Sequence, residues 1–306
     1  MSESHPYDPR ARMVRLPSTV LGVAKSFFIY LPPEYEQGQR DLPALYLLRG
    51  HEREWVNPRE DDSRNGKTVI DLYAGLRAAG SIGPLILVMP GLASDDNAVP
   101  SMLANMCAPQ LAKSAGIGSG AFLSYFFDQL IPYVERTFGA HPAARAIAGF
   151  SLGGLMAIKA AARFPDRFAS VGCFDGTVLY AADSGRYARH DDTVLANPMF
   201  DAALGLPRNA AFLDQDHPIT LLLRADRVAI RRIRWLIQYG PEAIEPWGSN
   251  FYRGEYLLRA LHALGIRNSA PVAALPDARH SWYWADRHIE QTLPIHWEAI
   301  QAYARR

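Results

Sequence analysis

Short apolar runs alternate with stretches of helical periodicity along most of the chain. Residues 26–31 (SFFIYL), 43–48 (PALYLL), 84–89 (PLILVM), 146–150, 171–174 and 233–239 (IRWLIQY) predict six strands, and 272–274 a seventh. These runs are nearly continuous in apolar residues, the pattern of strands buried on both faces of a parallel sheet. Between them, 122–138, 152–163 and 254–264 carry apolar residues at helical spacing, and Gly265 supplies a C-terminal stop for the last. Residues 220–230 read as a helix leading into the sixth strand. Alternation of this kind predicts an α/β fold, a mostly parallel central sheet with helices on both faces.

Two stretches break the pattern. Residues 52–68 are polar and fit no regular period, and 176–216 are irregular as well. Both follow strand ends, where such folds carry active-site loops, so they are expected to be loops or lid segments over a site; surface decoration is the competing reading. No internal repeat or linker divides the chain. All 306 residues are expected to form one domain, with 1–20 as an N-terminal extension.

Composition narrows the function classes. A net charge of +1 favours neither nucleic acid nor an anionic membrane as partner. The first ten residues are polar and lack the apolar core of a secretory signal, and no apolar run has spanning length, so a cytoplasmic location is the default. Cys107 and Cys173 sit in apolar surroundings and read as buried, inert thiols. The expected partner is a small-molecule ester; the sequence leaves a homo-oligomer open.

The chemistry centres on Gly149-Phe150-Ser151-Leu152-Gly153. An apolar strand runs into this motif and an Ala-rich helix leaves it, the context of a nucleophile elbow. Ser151 is therefore the expected nucleophile. A base follows late in the chain in this arrangement, and His280, after the last strand candidate, fits best. His288 and His296 fall in a terminal helix, and His262 lies on the helix that ends at Gly265. For the carboxylate that orients the base, three residues compete: Glu242 first, then Glu245, both just past residues 233–239, with Asp226 third. On this reading Glu242→Gln lowers turnover far more than Asp226→Asn. The backbone N–H groups of Leu152 and His51 are the expected oxyanion donors. His51, Glu52 and Glu54 lack the spacing of a metal site, and neither metal nor cofactor is expected. Trp55, Trp247, Trp282 and Trp284 are candidates to line an aromatic-accepting pocket, with core or rim packing as the plainer reading.

Five segments together resemble the Putative esterase family of α/β-hydrolases. They are Tyr30-Leu31-Pro32-Pro33-Glu34-Tyr35, Leu45-Tyr46-Leu47-Leu48-Arg49-Gly50, Leu130-Ile131-Pro132-Tyr133-Val134-Glu135, Gly149-Phe150-Ser151-Leu152-Gly153-Gly154 and His280-Ser281-Trp282-Tyr283-Trp284. That family includes esterase D (S-formylglutathione hydrolase), feruloyl and siderophore esterases, and mycolyltransferases. The resemblance implies an α/β-hydrolase fold, Ser151 as nucleophile, His280 as base, and the residues after Gly50 and Ser151 as oxyanion donors. The chain departs from the family at Arg49, where His or Asp is usual, and at Ala243, where the acid commonly lies. A serine carboxylesterase acting on an ester or thioester is the expected function. An acyltransferase with the same residues and a catalytically silent binding protein are the alternatives.

Overall fold

The computed structural model describes residues 6–178 and 197–304. Among these residues the strands are β1 (Arg12–Pro17), β2 (Ala24–Tyr30), β3 (Leu42–Leu48), β4 (Ile86–Pro90), β5 (Ala140–Phe150), β6 (Ser170–Phe174) and β7 (Arg234–Gln238). They form one sheet in the order β1-β2-β4-β3-β5-β6-β7. β3 to β7 are parallel, and β2 pairs antiparallel with both β1 and β4. The main helices are α1 (Val69–Ala78), α2 (Ile131–Phe138), α3 (Leu152–Arg163), α4 (Ala210–Asp216), α5 (Pro218–Arg224), α6 (Arg227–Arg232), α7 (Phe251–Ala263) and α8 (Trp282–Ala304).

Strand alternation divides the core in two. Tyr46, Leu48, Ile86, Val88 and Ile147 face one layer, which holds α2, α3 and α7. Leu45, Leu47, Leu87, Met89 and Ala148 face the other, which holds α1 and α8. Both faces are covered, which is why the strands read as unbroken apolar runs.

Three expectations need correcting. Residues 1–20 are not simply an extension, because Arg12–Pro17 forms the edge strand β1; its exposed Met13 and charged Arg12 and Arg15 concealed it. Residues 272–274 make no strand, only a bridge between Ala274 and Tyr239. Residues 122–138 are not a single α-helix. A π-helical turn, Tyr125–Leu130, interrupts them, and Ile131 donates its N–H to the carbonyl of Phe126, five residues back. Pro132 has no N–H to continue the ordinary ladder, so the turn widens there.

Part of the expected lid, 179–196, lies outside the described residues. Residues 197–216 are packed down, with Phe200, Ala203, Leu204 and Leu213 in the core. The N–H groups of Cys107 and Ala108 donate to the carbonyls of Ala203 and Ala202 at 3.1 and 3.0 Å. Lys159 of α3, fully buried, pairs with Asp216 and donates to the carbonyl of Met102. Burial pushes the Cys173 thiol up to about 12, so it is inert at neutral pH. Cys107 is only partly buried.

Residues 268–275 cover the outer edge of β7. The Asn268 carboxamide accepts from Ile237 N–H and donates to Ile237 C=O, each at 2.9 Å, as a strand neighbour would. Ser269 N–H then donates to Trp235 C=O, Tyr239 N–H to Ala273 C=O, and Leu275 N–H to Tyr239 C=O.

On the inner side of α8, His288 and His296 are buried against Gly172 of β6. A Cβ at Gly172 would sit 2.8 Å from His296 Nε2 and 3.1 Å from His288 Nε2, so no larger residue fits. The Gln238 amide donates to Val272 and Gln291, which turns its Oε1 toward His288 Nδ1 at 2.8 Å. His288 therefore carries its proton on Nδ1. Burial lowers both imidazoles from 6.5 to about 3. The unfolded chain binds these protons and the folded one does not. Their contribution to stability is thus complete above about pH 6.5 and is lost as pH falls toward 3. Two such groups give a slope of up to about 2.7 kcal/mol per pH unit. Urea unfolding measured from pH 4 to 7 is expected to show stability rising steeply over this window, and His288→Gln with His296→Gln is expected to flatten it. An unchanged slope in that double variant would mean the pair is not buried neutral.

Candidate active site

β5 runs directly into Ser151, which joins it to α3. Ser151 holds φ 57° and ψ −120°, a left-handed conformation costly for a non-glycine residue, so the side chain projects from a sharp strand-to-helix turn. Gly153 permits the close approach this turn demands. A Cβ there would fall 1.9 Å from the carbonyl oxygen of Leu48, at the end of β3. The Leu152 N–H is the first of the four that an α-helix leaves without an intrahelical partner, and it follows Ser151 directly.

The neighbouring strand leads into a buried carboxylate, Asp175, that sequence reasoning did not weigh. Phe150 pairs with Phe174, so Asp175 emerges beside Ser151; Ser151 N–H donates to Phe174 C=O at 3.1 Å. Asp175 is wholly buried. Its Oδ1 accepts the N–H groups of Gly240 (3.2 Å) and Asn250 (2.8 Å), and its Oδ2 lies 2.5 Å from His280 Nδ1. The Asn250 side-chain amide donates to the Asp175 carbonyl at 2.8 Å, which fixes the turn. His280 N–H donates to Gly248 C=O at 2.8 Å, and its ring packs on Phe150 at 4.7 Å between centroids. The imidazole is thus held at Nδ1 and beside the residue preceding Ser151.

The three carboxylates weighed from the sequence are elsewhere. Glu242 is exposed and accepts the Tyr252 hydroxyl. Glu245 accepts Tyr252 N–H at 3.4 Å, and burial pushes its carboxyl up. Asp226 is spent on the N-terminus of α6, where it accepts the N–H groups of Val228 and Ala229 at 2.8 Å. The sequence did hold a signal for Asp175: Cys173-Phe174-Asp175-Gly176 is an apolar strand ending in Asp-Gly.

The loop after β3 is arranged differently from the expectation for His51. One carboxylate oxygen of Glu54 accepts both Gly50 N–H (2.8 Å) and His51 N–H (2.6 Å). The His51 ring lies 3.1 Å from the Asp95 carbonyl through Nε2 and 3.1 Å from Glu52 through Nδ1. No group of three or more metal-ligating side chains occurs among the described residues.

Residues 52–68 are anchored rather than free. Buried Arg64 donates to the carbonyls of Glu54, Trp55 and Asn57 and makes a bidentate pair with Asp286 of α8 at 2.9 and 3.0 Å. Its guanidinium lies over the Trp282 ring. Trp55 and Trp282 pack edge-to-face in the core, so neither lines an aromatic pocket. Trp284 is partly buried, while Trp247, next to Gly248, is 80% exposed.

The parallel sheet, the serine on its strained elbow and the helices on both faces define an α/β-hydrolase. A family model described as Putative esterase matches residues 18–224, and the chain belongs to that family. An esterase of Mycobacterium tuberculosis, Rv1288, is 26% identical over 219 residues, which are 69% of this chain and 43% of the relative. The chain thus spans less than half the length of that relative. Among solved structures, a ferulic acid esterase matches with a TM-score of 0.68 at 19% identity, covering 96% of this chain and 99% of the other. An S-formylglutathione hydrolase from Agrobacterium tumefaciens matches with 0.67 at 18% identity, covering 94% of each. These two likenesses are of fold. No helix among the described residues is long and apolar enough to cross a membrane.

Proposed function

We propose that the protein is a serine esterase that cleaves a carboxylic ester or thioester through an acyl-enzyme on Ser151. The observation that carries this reading is His280 Nδ1 at 2.5 Å from the buried carboxylate of Asp175, one residue beyond the strand that flanks Ser151. Asp175 holds the Nδ1 proton, which leaves Nε2 unprotonated and able to take a proton from the serine hydroxyl. Ser151 Oγ attacks the ester carbonyl as its proton passes to His280. The imidazolium then protonates the leaving alcohol or thiol, and the carbonyl re-forms as the acyl-enzyme. Water, deprotonated by His280, attacks the acyl carbon, and Ser151 recovers its proton as the acid leaves. The Leu152 N–H and the positive end of α3 stabilise the oxyanion in both steps.

A fluorophosphonate probe tests this. Native protein is expected to take up one equivalent, at a rate slowed by a saturating p-nitrophenyl ester present together with the probe, and Ser151→Ala none. Equal labelling of Ser151→Ala, or none of the native protein, overturns the reading. A panel of short alkyl, feruloyl, glutathione-thioester and siderophore substrates then ranks acyl groups.

A further inference from the structure

Glu54 stands where an esterase has no evident use for a carboxylate. Its side chain is 5% exposed, and its Oε2 takes the His51 N–H that an oxyanion would need. The two loops meet at this point. Leu48 pairs with Gly149 across β3 and β5, and Gly153 packs on the backbone of Leu48 and Arg49, so His51 N–H belongs to the same strand-end layer as Leu152 N–H. A negative oxygen at this donor both fills it and repels a second negative charge, and at a carboxylate this buried the repulsion is only weakly screened.

A second berth for the carboxylate lies beside the first. The Nε of Arg49 is buried without a hydrogen-bond partner, and it stands 3.8 Å from Glu54 Oε1. The guanidinium rests over the Phe150 ring at 5.1 Å, directly before the nucleophile. A buried donor without a partner is costly, because it has given up its water and gained nothing in return. A short swing of Glu54 onto Arg49 satisfies that donor and releases His51 N–H. Glu54 already makes a long ion pair with Arg49, and the same swing tightens that pair while it takes the carboxylate oxygen off the oxyanion donor.

Resting on the esterase reading, we infer that Glu54 is a positioning residue that gates the oxyanion hole: seated on the Gly50 and His51 N–H groups it closes the hole, and moved onto Arg49 it opens it. Arg49, with its buried and unpartnered Nε, is the receptor that favours opening. No bond is made or broken in this step; one hydrogen-bond acceptor leaves the His51 N–H and the substrate oxygen takes its place. The acid product, itself a carboxylate, meets a closed and negative hole when Glu54 returns.

The second-order rate of Ser151 phosphonylation, together with kcat on a p-nitrophenyl ester, reads the gate through a double-variant cycle. Glu54→Ala frees the donor and is expected to raise the phosphonylation rate about 10²-fold, the scale of one oxyanion-hole donor. Arg49→Met keeps an unbranched apolar side chain beside Phe150 but removes the berth, and is expected to lower the rate by up to about 10²-fold. The double variant is expected to be as fast as Glu54→Ala alone, because Arg49 matters only while Glu54 is present. Slowing in both single variants, with no recovery in the double, makes Glu54 a loop brace and overturns the gate. The native protein supplies a check that needs no variant. In a crystal structure of its phosphonate adduct, the phosphoryl oxygen is expected on His51 N–H and the Glu54 carboxylate on Arg49 Nε. Glu54 still seated on His51 N–H in that adduct overturns the proposal, whereas failure of the native protein to form any adduct overturns the esterase reading beneath it.

Discussion

Asp175→Asn is expected to lower kcat by about 10⁴ while the fold and substrate binding are retained. The loss follows from where the amide must point. Asp175 Oδ1 is held by two backbone N–H groups, those of Gly240 and Asn250. An asparagine keeps its oxygen there and places its NH2 group at Oδ2, facing His280 Nδ1. That nitrogen must then accept, so the ring proton moves to Nε2, and the imidazole presents a donor to Ser151 where a base is required. Glu242→Gln and Asp226→Asn are expected to leave kcat within about twofold, since both carboxylates are exposed and bonded to groups other than the imidazole. Steady-state kinetics with one ester, with circular dichroism to check folding, decides the matter. A Glu242→Gln loss larger than that of Asp175→Asn would return the orienting role to Glu242.

Arg64→Ala is expected to destabilise the protein by about 3–5 kcal/mol, the cost of stripping one partner from a buried ion pair. A drop in melting temperature of roughly 10 °C corresponds to such a loss in a domain of this size. The guanidinium is the hub of the loop after β3: three backbone carbonyls and both oxygens of Asp286 depend on it. Burial pushes the Asp286 carboxyl up to about 6 even with Arg64 beside it. Without the arginine it protonates more readily still. The deficit is therefore expected to grow as pH rises above 6, where a neutral Asp286 is least accessible, and to shrink near pH 5. Asp286→Asn in the Arg64→Ala background is expected to recover part of the loss. Melting curves of the three proteins at pH 5 and 8 test this; a pH-independent deficit would mean that Arg64 acts through the carbonyls alone.

The sheet and the serine elbow were legible because both follow from local pattern. Buried parallel strands are apolar throughout, and a nucleophile elbow compresses its steric demands into five consecutive residues. His280 was legible from chain order. Asp175 was not, because the orienting acid was sought beyond the sixth strand run, near Gly240. The buried carboxylate beside the imidazole instead comes from the strand end next to Ser151, and Gly240 meets it through its N–H. Strand β1 escaped because an edge strand buries little: only Leu16 in it is buried. The pairing of Glu54 with His51 N–H lies beyond pattern altogether. It depends on a turn in which residues 50 to 54 fold back on themselves, and no periodicity reports that.

The covering of β7 has a consequence for how the molecule fails. Residues 268–275 are at once the selvedge of the sheet and the tether that leads to His280. A lesion that frays this hem, such as loss of the Asn268 carboxamide, bares a row of unpaired backbone groups ready to recruit another chain. It also slackens the arm that holds the imidazole. Inactivation and self-association are thereby coupled, so damaged molecules of this protein are expected to turn up in the sedimenting fraction rather than as dead monomers among live ones.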